Sequence, residues 1–504
     1  MSLHTTPTTV PPSGFATAPR QDISAGNIWS LGFAIVLAAF YLATSIYIAS
    51  RRPFWFDEVF VFRIAHVPSI AMMWTALGHA ADTMPPGYHL IMRLWTRLFG
   101  YGEVSLRLPS ALAMVVGLLL TYDCARRLTN GLHGLIALSV STCSLLPYYG
   151  YEARPYGFYF LLSAVAFWIW TCTKDNNWSA LWFGLVLCLA VTMHYYAVLC
   201  IVPYVLWEVI NWRPRKLPSR KLVGGVVGTG LAMAILLPLA MAFSRQFARG
   251  FWAHPTFYGL RAAFVELFPD GLLLLVLMMI WIVFLWPDTK ETAGSMTSAE
   301  ALGWLFLCIP LVGFVLAEVK TNAFLMRYFI GALPGVAVAF SCMIWRHFRN
   351  NYRIAAGVLV LLAGWGILSQ WATVRHPESI DPFGQQTALR QYLEMEGRLH
   401  ADGKRYIVFG NPMLHIEAAH YSRYPDEIVL LVNEDNAQNV PTVRVQVNLS
   451  HYSTMQLWTL DDVRSHAAET ALIDPPPEVL EALKQAGLQV TVRYSKPLQV
   501  MYLR

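Results

Sequence analysis

Charge is scarce in these 504 residues: 13% are Asp, Glu, Lys or Arg and 56% are hydrophobic, where a soluble protein carries roughly 25% charged residues. That balance excludes a cytosolic enzyme, a collagen-like rod and a disordered chain. Cysteine is sparse too. All seven (Cys124, Cys143, Cys172, Cys188, Cys200, Cys308 and Cys342) lie in or at the ends of apolar runs, which leaves no disulfide framework and no zinc spacing. Long Lys/Arg runs are absent, which removes nucleic acid from the partners and leaves the surplus positive charge to anionic lipid or phosphate. There is no His-Glu-x-x-His, no Gly-x-x-x-x-Gly-Lys-Ser/Thr and no Asp-x-Asp. The middles of the apolar runs hold almost no ionisable residues, which counts against an ion-coupled transporter.

What is present is lipid-compatible chain. Apolar runs long enough, or nearly so, to cross a ~30 Å hydrocarbon core start near Ile28, Leu108, Leu132, Pro155, Trp178, Tyr195, Leu222, Gly271, Ala301, Phe324 and Ile354, giving about eleven spans. Residues 1–27, rich in Ser, Thr and Pro and without a signal-peptide layout, read as a disordered cytoplasmic tail before a retained anchor. From Arg375 onward hydropathy falls, with 12 basic and 16 acidic residues, and strand-like Arg405 to Phe409, Glu427 to Val432, Gln489 to Tyr494 and Leu498 to Tyr502 alternate with helical stretches. The expected fold is a polytopic α-helical membrane protein, its membrane domain over 28–374, with a soluble, periplasmic α/β domain over 375–504.

Pro85 to Phe99 decides the topology. Leu90, Ile91, Leu94, Trp95 and Leu98 share one helical face while Arg93 and Arg97 occupy another, the pattern of a helix lying in the membrane interface; the stretch around Ile70, Met73, Trp74 and Leu77 reads similarly. With neither crossing, Arg126-Arg127, the cluster Arg213 to Lys221, and Arg346 with Arg349 and Arg353 share the N-terminal side, cytoplasmic by the positive-inside rule. The outer face then receives the residues with chemistry.

Asp57-Glu58 pairs carboxylates just after the first span among aromatics, poised for general-base work, or capping a helix N-terminus. Pro85-Pro86-Gly87-Tyr88-His89 makes a rigid turn into the interfacial helix. Tyr151-Glu152-Ala153-Arg154-Pro155 holds a carboxylate and a guanidinium in a tight outer turn, Arg being suited to bidentate phosphate capture. Lys320 and Arg327 flank another outer turn, and His194 sits where two spans meet; an ionisable group at membrane depth is a functional candidate. The glycines from Gly224 to Gly230 read as close helix packing.

Together Asp57-Glu58, Pro85-Pro86-Gly87-Tyr88, Ser105 to Leu112, Tyr151 to Gly157 and Arg327-Tyr328 resemble bacterial C-type integral-membrane glycosyltransferases, the group with protein O-mannosyltransferases and the lipid A aminoarabinose transferase. The resemblance covers roughly Trp29 to Trp345. It implies an inner-membrane enzyme that takes sugar from a polyprenyl-phosphate donor and passes it, with inversion, to a hydroxyl of a glycan, lipid or protein at the periplasmic face. It also implies Asp57 as the base with Glu58 beside it, and Arg154, Lys320, Arg327, Tyr88, His89, Glu152 and His194 as donor-phosphate or substrate contacts. Where relatives often have a basic residue before the Pro-Pro pair, this chain has Thr83-Met84. A divalent cation serves some relatives and not others; Asp57, Glu58, Glu152 and His89 could converge on one, and nothing in the sequence demands it. A lipid-linked-glycan flippase and a non-enzymatic envelope scaffold are the competing classes.

Overall fold

The computed structural model describes residues 25–212, 217–247, 253–268, 272–280, 295–348, 351–381, 384–495 and 498–503. The expected tail, through Ser24, lies outside them, as do Arg213, Arg215, Lys216 and Arg349. Among the described residues six helices are long and apolar enough to cross a membrane: Ile28–Ala49, Glu103–Leu128, Arg220–Gln246, Ser298–Thr321, Met326–Phe348 and Tyr352–Arg375. The runs expected near Leu132, Pro155, Trp178 and Tyr195 form shorter apolar helices, Gly131–Thr142, Tyr156–Cys172, Asn177–Met193 and Tyr195–Ile210, below the roughly 20 residues of a full crossing. The run from Gly271 is represented by Leu272–Ile280, its remainder lying outside the described residues.

The first helices are α1 (Ala25–Ala49), α2 (Phe56–His66), α3 (Ile70–Gly78), α4 (Pro86–Phe99), α5 (Glu103–Leu128), α6 (Gly131–Thr142), α7 (Leu146–Gly150), α8 (Tyr156–Cys172) and α9 (Asn177–Met193). One side chain fixes how the first five connect. Arg107, one turn into α5, donates from Nη1 to the carbonyls of Ala49 and Arg52 at 2.9 and 2.7 Å, and from Nη2 to that of Pro53 at 2.9 Å. The end of α1 and the start of α5 therefore lie together, and the segment between them leaves and returns to the same end of the two helices. α4 has 14 residues, about 21 Å of helix, too short to span. Its Leu90, Leu94 and Leu98 are exposed, as an interfacial helix requires, but the arginine face is not uniformly solvated: Arg93 is buried and donates to the carbonyls of Ala65, Val67 and Pro68. In α3, Ile70 and Trp74 are exposed whereas Met73 and Leu77 pack inward.

Close crossings hold the bundle. α8 (Tyr156–Cys172) meets α5 at Gly157, where a Cβ would lie 2.2 Å from the Ser110 carbonyl oxygen. Pro109, inside α5, has no N–H, which frees the Ser105 carbonyl to accept the Trp95 indole N–H at 2.9 Å. Of the glycines from Gly224 to Gly230, Gly224, Gly225 and Gly228 pack closely, a Cβ on Gly228 lying 2.0 Å from the Gly184 carbonyl oxygen on α9 (Asn177–Met193), whereas Gly230 faces open space.

The C-terminal part is a three-layer α/β unit. Strands β1 (Tyr406–Phe409), β2 (Ile428–Leu431), β3 (Gln456–Trp458), β4 (Thr470–Ile473), β5 (Val490–Tyr494) and β6 (Val500–Leu503) form one sheet in the order β3-β2-β1-β4-β6-β5. The first four are parallel; β6 runs antiparallel to β4 and β5 antiparallel to β6. Alternation sorts the two faces: Ile407 and Phe409 pack with Leu389 and Leu414 from helices Gln385–Ala401 and Pro412–Tyr421, while Val408 packs with Val463 and Leu483.

Helix Pro412–Tyr421 also packs on α2. Tyr421 Oη accepts the Phe54 N–H at 2.6 Å and donates to Glu103 Oε1 at 3.1 Å, and Arg63 of α2 donates to Ser453 Oγ and the Thr454 carbonyl, both at 3.0 Å. The strap that delivers Asp57 is thus pinned by the C-terminal unit. Tyr421→Phe, which keeps the ring and removes both bonds, is expected to lower stability by about 1–3 kcal/mol, because the Phe54 N–H and Glu103 lose a partner. Thermal unfolding of the purified variant checks this; an unchanged midpoint would contradict it.

Candidate active site

Trp55 is the extended N-cap of α2, which places Asp57 and Glu58 in the first turn, where the helix dipole favours carboxylates. The two diverge. Glu58 is fully buried and reaches back to the Trp55 N–H at 3.2 Å; its Oε1 accepts from Arg107 Nε and the Ala153 N–H, both at 2.7 Å, and its Oε2 from Arg107 Nη2. Burial alone would raise its pKa, but Arg107 and these N–H groups hold it below the ordinary carboxylate range. Apart from the Trp55 capping bond, these bonds tie α2 to α5 or to the 150–154 turn, so Glu58 holds the frame.

Asp57 faces the other way and gathers two arginines from distant parts of the chain. Arg154 Nη2 lies 3.4 Å and Arg327 Nη2 3.7 Å from the same oxygen, Oδ2, while Arg154 Nη1 donates to the Asp57 carbonyl at 3.3 Å. These separations exceed the 2.7–2.9 Å of a closed charge-assisted bond. Among the described residues, buried Oδ2 has no hydrogen-bond partner, and neither do Arg154 Nε and Arg327 Nε. Buried polar atoms left open are uncommon and mark sites where another group is expected. Arg154 is buried, which works against its charge, yet Asp57 and its other neighbours raise its pKa above the usual value. Arg327 enters from the 3₁₀ turn Met326–Ala332, after Asn322 reverses the chain at φ 50°.

The other expected site residues fall around this cluster. Buried His194 caps the end of α9, accepts the Tyr196 N–H on Nδ1 at 3.2 Å and stacks on Tyr159, ring centroids 5.5 Å apart. Burial, with Arg154 and Arg327 nearby, lowers its pKa to about 3, so it is neutral. Tyr88 is behind Arg154: its hydroxyl is 3.0 Å from Ser110 Oγ, which donates to the Arg154 carbonyl at 2.5 Å. His89 Nε2 pairs with Asp82 Oδ2 at 3.1 Å in a buried contact. Lys320 is exposed at the end of a π-helical turn, Ala317–Thr321, and makes no ion pair among the described residues; the structure does not bring it to Asp57. Nor do Asp57, Glu58, Glu152 and His89 converge, because Glu58 is turned to Arg107 and His89 to Asp82; among the described residues no three His, Cys, Asp or Glu could hold a metal ion.

Glu152 is buried on the Glu58 side. Burial and the Glu58 carboxylate push its pKa from 4.5 up to about 7, against Arg52 and a Tyr148 hydrogen bond. Between pH 4.5 and 7 the folded chain therefore holds a proton that the unfolded chain has lost, and stability falls as pH rises through that window. Thermal unfolding in detergent should show a higher midpoint at pH 5 than at pH 7, and Glu152→Gln should flatten the slope; an unchanged slope would contradict the assignment.

Sequence reasoning passed over Arg107, Asp82 and Ser110 as site residues. Arg107 carried the same signal as Arg327, a guanidinium just inside an apolar run. Asp82 had no such signal, because its partner His89 is read only once the turn is folded.

In fold and in part of its sequence the chain is similar to the C-type integral-membrane glycosyltransferases. Residues 83–241 match the family model described as dolichyl-phosphate-mannose-protein mannosyltransferase. A curated relative, undecaprenyl phosphate-alpha-4-amino-4-deoxy-L-arabinose arabinosyl transferase 1 of Pseudomonas fluorescens, is 26% identical over 362 residues. That match takes in 67% of this chain and 64% of the relative's length. Among solved structures, ArnT from Cupriavidus metallidurans in the apo state superposes with a TM-score of 0.60 at 11% identity, over 94% of this chain and 98% of that one. The same protein bound to undecaprenyl phosphate gives 0.58 at 12% identity over the same shares.

Proposed function

We propose that this multi-pass membrane protein is a glycosyltransferase that moves a sugar from a polyprenyl-phosphate donor to an acceptor hydroxyl at the periplasmic face. The observation that carries it is Asp57 Oδ2: a buried carboxylate oxygen with no hydrogen bond among the described residues, faced by two guanidiniums at 3.4 and 3.7 Å. A base needs a free lone pair within reach of the acceptor proton, and a phosphate leaving group needs preorganised positive charge. In this reading the acceptor oxygen attacks the anomeric carbon from the face opposite the lipid phosphate while Asp57 takes its proton, inverting that centre. The bond to the phosphate oxygen breaks, and Arg154 and Arg327 hold the charge that develops there. Neutral His194 and the surrounding tyrosines wall the cluster without adding a competing charge. Glu58, Tyr88 and Glu152 position it, and Lys320 is left for the headgroup region.

The name of the Pseudomonas relative and the undecaprenyl phosphate in the Cupriavidus structure support a polyprenyl-phosphate donor. The expected count of eleven crossings, the solubility of the α/β unit and its periplasmic placement belong to the same proposal. A deletion strain complemented with wild type or Asp57→Asn tests it by mass spectrometry of envelope glycolipids, polysaccharides and glycoproteins. One glycoconjugate should lose a single sugar and regain it only with wild type, and reporters fused after Phe99 and Arg220 should lie on opposite sides of the membrane. Unchanged glycoconjugates would leave the scaffold or flippase reading standing.

A further inference from the structure

Toward the far end of α5 from Arg107, a mostly apolar cleft of about 690 Å³ opens between α5, α8 and α9. Val116, Leu120, Val165, Trp168 and Trp182 line its apolar length, and Asp123 and Asn176 close one end. From Val116 to Asp123 is about 10 Å of helix, and from Trp178 to Val186 about 12 Å. The cleft therefore has the depth of about one leaflet of a ~30 Å core. Its polar end is built rather than incidental. Asp123 accepts the Trp168 indole N–H at 2.9 Å on Oδ2, Arg127 Nε at 2.5 Å on the same oxygen, and Arg126 Nη2 at 2.5 Å on Oδ1; the Arg127 guanidinium also lies 5.5 Å from the Trp168 ring centroid. One carboxylate thus holds two guanidiniums, leaving a net positive charge where the apolar channel ends. Lys221, its amine on the carbonyls of Trp170 and Thr173 at 3.0 and 2.6 Å, adds another, while Asp175 accepts from the Arg220 and Lys221 backbone N–H groups.

We propose that this cleft binds an anionic glycerophospholipid, one acyl chain along Val116, Leu120 and Trp182 and the phosphate at Arg126 and Arg127. Two arginines fixed by a shared carboxylate present their remaining N–H groups at little entropic cost. Charge complementarity selects an anionic over a zwitterionic headgroup. The depth selects a single-leaflet chain over a polyprenyl chain, whose phosphate in the proposed reaction sits at the other face, some 24 Å away along α5 from Arg107 to Asp123.

The test is native mass spectrometry of the full-length protein taken from vesicles of equimolar palmitoyl-oleoyl phosphatidylglycerol and phosphatidylcholine. Wild type should retain phosphatidylglycerol preferentially. Arg126→Gln/Arg127→Gln should weaken that preference on the order of fivefold per arginine, and Leu120→Trp, which fills the channel and leaves the arginines, should lose retention. Equal retention of the two lipids, retention unaffected by both variants, or displacement of phosphatidylglycerol by added undecaprenyl phosphate would each overturn the assignment.

Discussion

Asp57→Asn should insert and fold like wild type yet transfer sugar roughly 10²- to 10⁴-fold more slowly, the range a positioned general base contributes. The side chain is about the same size, and its ion pairs at 3.4 and 3.7 Å are longer than closed charge-assisted bonds, so the loss of rate should far exceed any loss of stability. What the substitution removes is the lone pair that accepts a proton. Single-turnover rates at saturating donor isolate that step from binding, and an Asp57→Asn enzyme within threefold of wild type would remove Asp57 as the base.

Glu58 should behave in the opposite way, although it is the next residue. Its bidentate pair with Arg107 is fully buried, and Arg107 also holds the carbonyls that end α1. Removing one partner of a buried pair strands the other charge, at a cost of about 3–5 kcal/mol. Glu58→Gln and Arg107→Gln should each lower yield and thermal midpoint sharply, while the double variant recovers part of the loss because no unpaired charge remains. The two carboxylates thus separate by readout, Asp57 through rate and Glu58 through stability. A Glu58→Gln protein of normal stability and no activity would assign chemistry to Glu58 instead.

The sequence made the membrane bundle legible because hydropathy is averaged over about 20 residues and tolerates local error. The exposed apolar face read for α4 is present at Leu90, Leu94 and Leu98, whose exposure follows from periodicity. It missed Arg93, because a guanidinium buried on three backbone carbonyls looks like a solvated one in sequence. In the C-terminal unit, a strand inside an unbroken apolar run such as Ile428–Leu431 was visible, whereas Gln456–Trp458 and Thr470–Ile473 begin on polar residues and carry too few apolar ones to read as strands. Of the candidate site, Asp57, Arg154 and Arg327 were legible as ionisable groups at the ends of apolar runs. Their meeting at one oxygen was not, since 97 and then 173 residues separate them in the chain.

The central claim is that Asp57 and its two arginines cleave a polyprenyl-phosphate sugar. Its most direct test is release of free undecaprenyl phosphate by the purified protein in vesicles containing an undecaprenyl-phosphate-linked sugar and an envelope extract as acceptor. Release that depends on both the sugar-linked donor and the extract, and that vanishes in Asp57→Asn, is the predicted result. No release from wild type with any donor sugar, or equal release from Asp57→Asn, would contradict it.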